Sequence, residues 1–181
     1  MKNLIFILLT FISICSYGQS PRRVVKKLGS NPVFFIDSVN VLQSDLQKYN
    51  PEQIAAVTVF KDKEAINILG EEGKDGVVYI ETIPFAKKRY WKFFSTKSSS
   101  YADLLPNFDS DSTVLYILNT KVLAEKGLEG NLASINDENF KEIRIIDKVT
   151  LEKEYGVTNK IYGILIVSDV PKNLYKGNKK F

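Results

Sequence analysis

Short apolar runs, each bounded by polar residues, glycine or proline, follow one another along this chain and then recur. Pro32-Val33-Phe34-Phe35-Ile36-Asp37 carries no polar alternation, the pattern of a short strand covered on both faces. Asn50-Pro51-Glu52-Gln53 reads as a helix start, with Asn50 as cap and Pro51 in the first turn, leading into the strand Ala56-Val57-Thr58-Val59-Phe60. Asp62 is placed to cap the next helix, where Ala65, Ile66, Ile68 and Leu69 form an apolar stripe and Gly70 a stop. A third strand, Val77-Val78-Tyr79-Ile80-Glu81-Thr82, follows the polar turn from Glu71 to Gly76. The order strand, helix, strand predicts a right-handed crossover.

The second half repeats this order. Val114-Leu115-Tyr116-Ile117 matches Val33-Phe34-Phe35-Ile36 at an offset of 81, and Val41-Leu42 falls on Val122-Leu123. With five residues inserted, Asn50 to Ile54 falls on Asn136 to Phe140, Val57 to Phe60 on Ile143 to Ile146, and Gly70 on Gly156. One further insertion places Gly76-Val77-Val78-Tyr79-Ile80 on Gly163-Ile164-Leu165-Ile166-Val167. Apolar positions, helix starts and glycines recurring in order point to a duplicated unit.

Between the copies, Lys87, Lys88, Arg89, Lys92 and Lys97 interleave with Tyr90, Trp91, Phe93 and Phe94, followed by a polar, acidic stretch to Ser112. On a helix Tyr90, Phe93 and Phe94 share one face, which predicts an amphipathic helix packed on the sheets. The competing expectation is peripheral contact with a membrane surface through Lys87, Lys88, Arg89 and Trp91.

Composition narrows the chemistry. Among 181 residues there is no histidine and one cysteine, Cys15. Ser-His-Asp and Cys-His nucleophiles, HExxH zinc helices and disulfide frameworks are therefore not expected. Cys15 itself lies in a leader: Met1-Lys2-Asn3, the apolar run Leu4 to Cys15, then Ser16-Tyr17-Gly18 before Gln19. This is the layout of a secretory signal peptide cleaved after Gly18. The apolar run is twelve residues long, whereas a membrane-spanning helix needs roughly 20. The competing expectation, acylation of Cys15, requires a small residue where Ile14 stands. The protein is thus expected to be exported, to the periplasm or the outer membrane. A chain of this size buries roughly 70% of its unfolded surface, enough for an ordinary core without disulfides.

The first copy resembles the plug domain of TonB-dependent outer-membrane receptors of the Bacteroidetes type. The residues that carry the resemblance are Pro32 to Asp37, Asn50-Pro51-Glu52-Gln53-Ile54, Val57-Thr58-Val59-Phe60-Lys61-Asp62, Gly70, Gly73 and Gly76 to Thr82. The second copy keeps the strands, Asn136, Glu138, Gly156 and Gly163 but lacks the proline and the third glycine. A receptor also needs a barrel of about 22 strands, and the sequence holds no such pattern. The resemblance implies a plug-like fold used without a barrel, as a free-standing recognition module.

The expected fold is α+β: two plug-like repeats, each of about three short strands with a helical crossover, forming a pseudo-symmetric body. Residues 1–18 are the signal peptide, 19–31 a flexible basic arm, 32–83 the first repeat, 84–112 the aromatic basic connection, 113–170 the second repeat and 171–181 a basic tail. No cofactor or metal is expected: Glu71, Glu72, Asp75 and Glu81 lack the alternating oxygen spacing of a calcium loop. Gly70, Gly73 and Gly76 follow a helix and open a strand, the reverse of a phosphate loop. A formal charge of +4 without a nucleic-acid motif disfavours nucleic acid.

The function expected is non-catalytic binding of an envelope protein or peptide. The mechanism is strand addition at Val33 to Asp37 or Val114 to Leu118, with Phe35 and Tyr116 at the contact. Two alternatives stand beside it: a plug that docks in a separately encoded receptor barrel, and a carboxylate- or lysine-based hydrolase acting on envelope glycans.

Overall fold

The computed structural model describes residues 28–170. The expected signal peptide, most of the basic arm and the basic tail lie outside the described residues. Strands β1 (Val33–Ile36), β2 (Val39–Val41), β3 (Ile54–Phe60) and β4 (Val77–Thr82) form a four-stranded sheet in the order β2-β1-β4-β3. Strands β5 (Val114–Leu118), β6 (Lys121–Val122), β7 (Phe140–Ile146) and β8 (Tyr162–Ser168) form a second, in the order β6-β5-β8-β7. In each sheet the central pair is parallel and the outer pairs are antiparallel. Helix α1 (Asp62–Leu69) links β3 to β4, and its counterpart, numbered α5 here (Lys148–Tyr155), links β7 to β8. Both helices connect antiparallel neighbours, so the handedness rule for parallel crossovers does not govern them.

The α+β class and the repeated order are as the sequence predicts, with a fourth strand added to each sheet by a tight hairpin. Asp37 and Ser38 sit at positive φ in the first hairpin turn and Asn119 in the second, the backbone such two-residue turns require. Each turn is tied to the end of the parallel partner. Asp37 accepts from the Thr82 backbone N–H at 2.8 Å and Asn119 from that of Ser168 at 3.0 Å.

These ties correct the register of the repeat. Ile36 faces Ile80 and Leu118 faces Ile166, so the hairpin repeats at an offset of 82 and β4 at 86. Val57 faces Ile80 and Ile143 faces Ile166, again 86, and both β3 and β7 carry a bulge at the same place. A single insertion of four residues, the difference between 82 and 86, replaces those inferred from the letters. Gly163 is the counterpart of Val77, not of Gly76. A one-residue slip matters because it exchanges the two faces of a strand.

Local signals fare variously. Asn50 Oδ1 accepts from the Glu52 N–H at 3.0 Å over the 3-10 turn Pro51–Gln53, and Asn136 Oδ1 accepts from Glu138 N–H at 2.9 Å in the other copy. Gly70 and Gly156 end their helices at φ of 63° and 68°, the left-handed region open to glycine. Asp62, by contrast, does not cap α1. It lies within the first turn, and the cap position belongs to Lys61, whose side chain makes no cap hydrogen bond.

The aromatic connection is the largest departure from a linker. Helix α2 (Ile83–Lys97) buries Ala86, Tyr90 and Phe94, and α3 (Ser99–Leu104) buries Tyr101. With Leu105 and with Leu132 of α4 (Leu128–Ala133), Tyr90, Phe94 and Tyr101 join Val114, Tyr116, Ile164 and Ile166 in the main core. The predicted packing of Tyr90, Phe93 and Phe94 on a sheet is what forms. The sheet is the second one. The first sheet's core is smaller, built on Phe34, Ile36, Val78 and Ile80 under Leu28, Val41 and Leu46. Leu28 to Asn31, expected in the flexible arm, are held by Asp75, which accepts from the Asn31 backbone at 2.9 Å and from Ser30 Oγ at 3.3 Å.

Small residues join the halves. Ala55 and Ala56 of β3, Ala86 of α2 and Ala133 of α4 form one cluster. At Gly130 a Cβ would stand 2.2 Å from the Ala55 carbonyl oxygen, so α4 lies directly against the start of β3.

Candidate binding cleft

The face of the first sheet opposite its core carries aromatic residues. Phe35 stacks on Tyr79 with ring centres 4.7 Å apart, and Phe60 meets Tyr79 edge-on at 6.0 Å. All three are half-buried. Their counterparts on the second sheet, Ile117, Leu165 and Ile146, are closed over by Leu151 of α5. The position equivalent to Leu151 is Ala65, fully buried on α1, and an alanine does not reach across the face.

A cleft of about 730 Å³ opens there. Its floor is Thr58, Phe60, Tyr79 and Glu81; one wall is Glu64 and Ile68 of α1. The other is the link from α4 to β7, with Ala133, Ser134, Asn136, Glu138 and Asn139, and it meets Asp169 and Val170 after β8. That wall is fixed by Asn139, 6% exposed. Its Nδ2 donates to the Ser134 carbonyl at 2.9 Å and its Oδ1 accepts from the Asn136 N–H at 2.9 Å. Asp169 N–H donates to the Asn139 carbonyl at 2.8 Å. Arg89 pins the wall to the floor. Its guanidinium forks onto Glu81, with Nη2 to Oε2 at 2.8 Å, and also donates to the Ala133 carbonyl.

Comparison with protein-family models, with curated proteins and with solved structures finds no match.

Of the residues expected at a binding contact, Arg89 alone lines the cleft, and Glu81, weighed from sequence as a calcium ligand, lines it too. Phe35 stands beside it, behind Tyr79. Tyr116 is 3% exposed, its hydroxyl 3.2 Å from that of Tyr101 in the main core. Strands β1 and β5 are flanked on both sides, so neither is an edge, and the expectation of strand addition at Val33 to Asp37 or Val114 to Leu118 fails. The edges are β2, β3, β6 and β7.

The basic aromatic stretch is not gathered into one exposed patch. Lys87 faces Asp111 at 3.5 Å, Arg89 is held as described, and Trp91 donates from Nε1 to the Leu105 carbonyl at 2.8 Å. Lys88 is exposed. Among the described residues no group of three or more His, Cys, Asp or Glu side chains is placed to hold a metal ion, and no helix is long and apolar enough to cross a membrane.

Sequence reasoning missed Thr58, Phe60, Tyr79, Glu138, Asn139 and Asp169. A signal existed for four floor positions: Thr58 and Phe60 share one parity of β3, and Tyr79 and Glu81 one parity of β4, so each pair faces the same side. Nothing in the letters brings Glu138 or Asp169 over them.

Proposed function

We propose that this protein is a non-catalytic, exported module that holds an extended segment of an envelope protein in the cleft beside β3. The observation that carries the reading is the position of the cleft on an edge strand. Strand β3 is paired with β4 on one side. On its other side α4 covers the start at Ala55, while Thr58 and Phe60 border the cleft. An extended segment laid there gains backbone hydrogen bonds from the strand edge and a place for alternate side chains on the aromatic floor. Strand addition thus remains the mechanism, moved from the central strands to β3.

Two of the lining carboxylates are already in ion pairs, Glu81 with Arg89 and Asp169 with Lys141, which favours holding a ligand over shuttling protons. On this reading the plug-like pattern of the first half is a recognition fold used without a barrel, and the leader delivers it to the periplasm or outer membrane. Placing a photo-crosslinking residue at position 60, and another at exposed Val149 on α5, tests it in intact cells. Adducts from position 60 alone, mapping to an extended segment of a periplasmic or outer-membrane protein, are expected, on a chain beginning at Gln19. Equal adducts from both positions, or none from position 60 in a folded protein, overturn it.

A further inference from the structure

We propose that the outer edge of β7 docks a second copy of this chain, the two β7 strands pairing antiparallel about a two-fold axis at Ile143. The four-stranded β5–β8 sheets of two copies thereby join into one continuous sheet. This surface is independent of the cleft.

Strands β3 and β7 are corresponding edges of the two sheets, and they differ in cover and in charge. The start of β3 lies under α4, with Ala56 buried against Ala86 and Ala133. Strand β7 leaves Lys141, Glu142 and Arg144 exposed. Helix α3 meets it through the core, where Tyr101 lies in the cluster against which Phe140, Ile143 and Ile145 pack. Among the described residues no strand lies beyond β7, so its outer backbone groups offer a template for a further strand.

Charge on an edge discourages pairing where like meets like. On β7 the charge alternates instead. Glu142 and Arg144 stand where β3 has Ala56 and Thr58, on one face and paired with each other at 2.8 Å, with about half or more of each side chain exposed. Alone, such a pair is weak. Residues directly opposite on antiparallel strands share a face, with Cβ atoms about 4.5–5.5 Å apart. With the axis at Ile143, the middle of the seven residues of β7, Glu142 of each copy stands opposite Arg144 of the other. The two intrastrand pairs then close into a ring of alternating charge.

Neighbouring registers lose this match. Sliding one strand by a single residue sets core face against outer face. Sliding it by two sets Glu142 against Glu142 or Arg144 against Arg144, which is repulsive. The strand therefore specifies one register with itself. The bulge between Phe140 and Glu142 falls towards the end of the pairing and not at its axis. A two-fold contact of this kind also closes after two copies, leaving no β7 edge for a third.

The test is the mass of the purified protein by sedimentation equilibrium from about 1 μM to about 1 mM. A monomer–dimer equilibrium is expected, and a monomer throughout overturns the proposal. Glu142→Arg and Arg144→Glu, both at exposed positions and checked at low concentration for an unchanged melting temperature, should each weaken dimerisation about tenfold or more, because like charges then face across the strands. Mixing the two variants in equal amounts should restore dimerisation, since every base again faces an acid in the other copy. The double variant with both changes should restore it as well. Dimerisation that ignores both single changes, or a mixture no tighter than its components, overturns the pairing at Ile143.

Discussion

On the second sheet, α5 lowers Leu151 onto Gly163, and Ile117, Ile146 and Leu165 close around it. On the first, the same positions hold Ala65, Val77, Phe35, Phe60 and Tyr79, and the face stays half-open. The two sheets share strand order, hairpins and bulges, so the difference lies in side-chain volume. A large residue on the helix above a glycine seals one face; a small residue above a valine, with rings alongside, leaves a floor in the other. One fold thus yields a structural half and a half with a cleft.

The largest effect should come from reversing that exchange. Leu151→Ala removes a fully buried side chain and should lower stability by about 2–5 kcal/mol, read by urea unfolding. Ala65→Leu, forcing volume into the first sheet, should lower it by about 1–3 kcal/mol. Adding Gly163→Val to Leu151→Ala recreates the first sheet's pair in the second, and the double variant should recover at least about 0.5 kcal/mol over the sum of the singles. Strict additivity would break the comparison.

The second difference is the clamp. Arg89 fastens Glu81 of the first sheet to the end of α4, whereas the counterpart of Glu81 is Val167, which has no carboxylate. Arg89→Ala should therefore destabilise by about 1.5–3 kcal/mol and loosen the cleft wall, seen as faster amide exchange at Ser134 to Asn139. Arg89→Lys should recover little, since an ammonium cannot reproduce a planar fork on a carboxylate and a carbonyl together.

A third contrast lies in the cores. Where the first sheet has Phe34, the second has Tyr116, whose hydroxyl meets that of Tyr101. Tyr116→Phe leaves the Tyr101 hydroxyl buried and unpaired, which should cost about 1–3 kcal/mol, while the double change to phenylalanine should cost less. Burial pushes the Tyr101 hydroxyl up to about 12, from an ordinary value of 10.0, and raises Tyr116 and Tyr90 as well. The folded state then holds these protons more tightly than the unfolded chain. Their contribution is intact below about pH 10 and is lost as the pH climbs from there. Melting temperature should fall above pH 10, and less steeply in the Tyr101→Phe, Tyr116→Phe double variant.

How far the sequence reveals all this depends on the distance over which each feature is built. Val33 to Ile36, Val77 to Thr82 and their counterparts are legible because apolar runs bounded by turn residues are local. The face of α2 is legible from the spacing of Tyr90, Phe93 and Phe94. Register is not, because unbroken apolar runs look alike when slid by one residue, and Gly163 is matched to Gly76 by its letter. Asp37 with Asn119, and Asn50 with Asn136, mark the true register, since each pair does the same hydrogen-bonding work in its copy. Central and edge strands are not legible either: the parallel pairing of β1 with β4 bridges about forty residues. The cleft needs Thr58 and Asp169 together, and no pattern along the chain encodes that meeting.

The smallest contrast is at the helix starts. Asp147 caps α5, its Oδ1 accepting from the Thr150 N–H at 2.8 Å, whereas Lys61 at the same place before α1 makes no cap bond. That backbone hydrogen bond holds the Asp147 carboxyl below its ordinary value of 3.8. The charge-dependent part of the cap's contribution is therefore intact above that value and is lost as the pH falls from there. Asp147→Ala should lower the melting temperature slightly at pH 7 and by less at pH 2. Asp147→Asn, which caps as well without titrating, should hold its effect across the same range. If Asp147→Ala instead lowered stability equally at both pH values, the side chain would be acting through packing, and the two helix starts would differ for another reason.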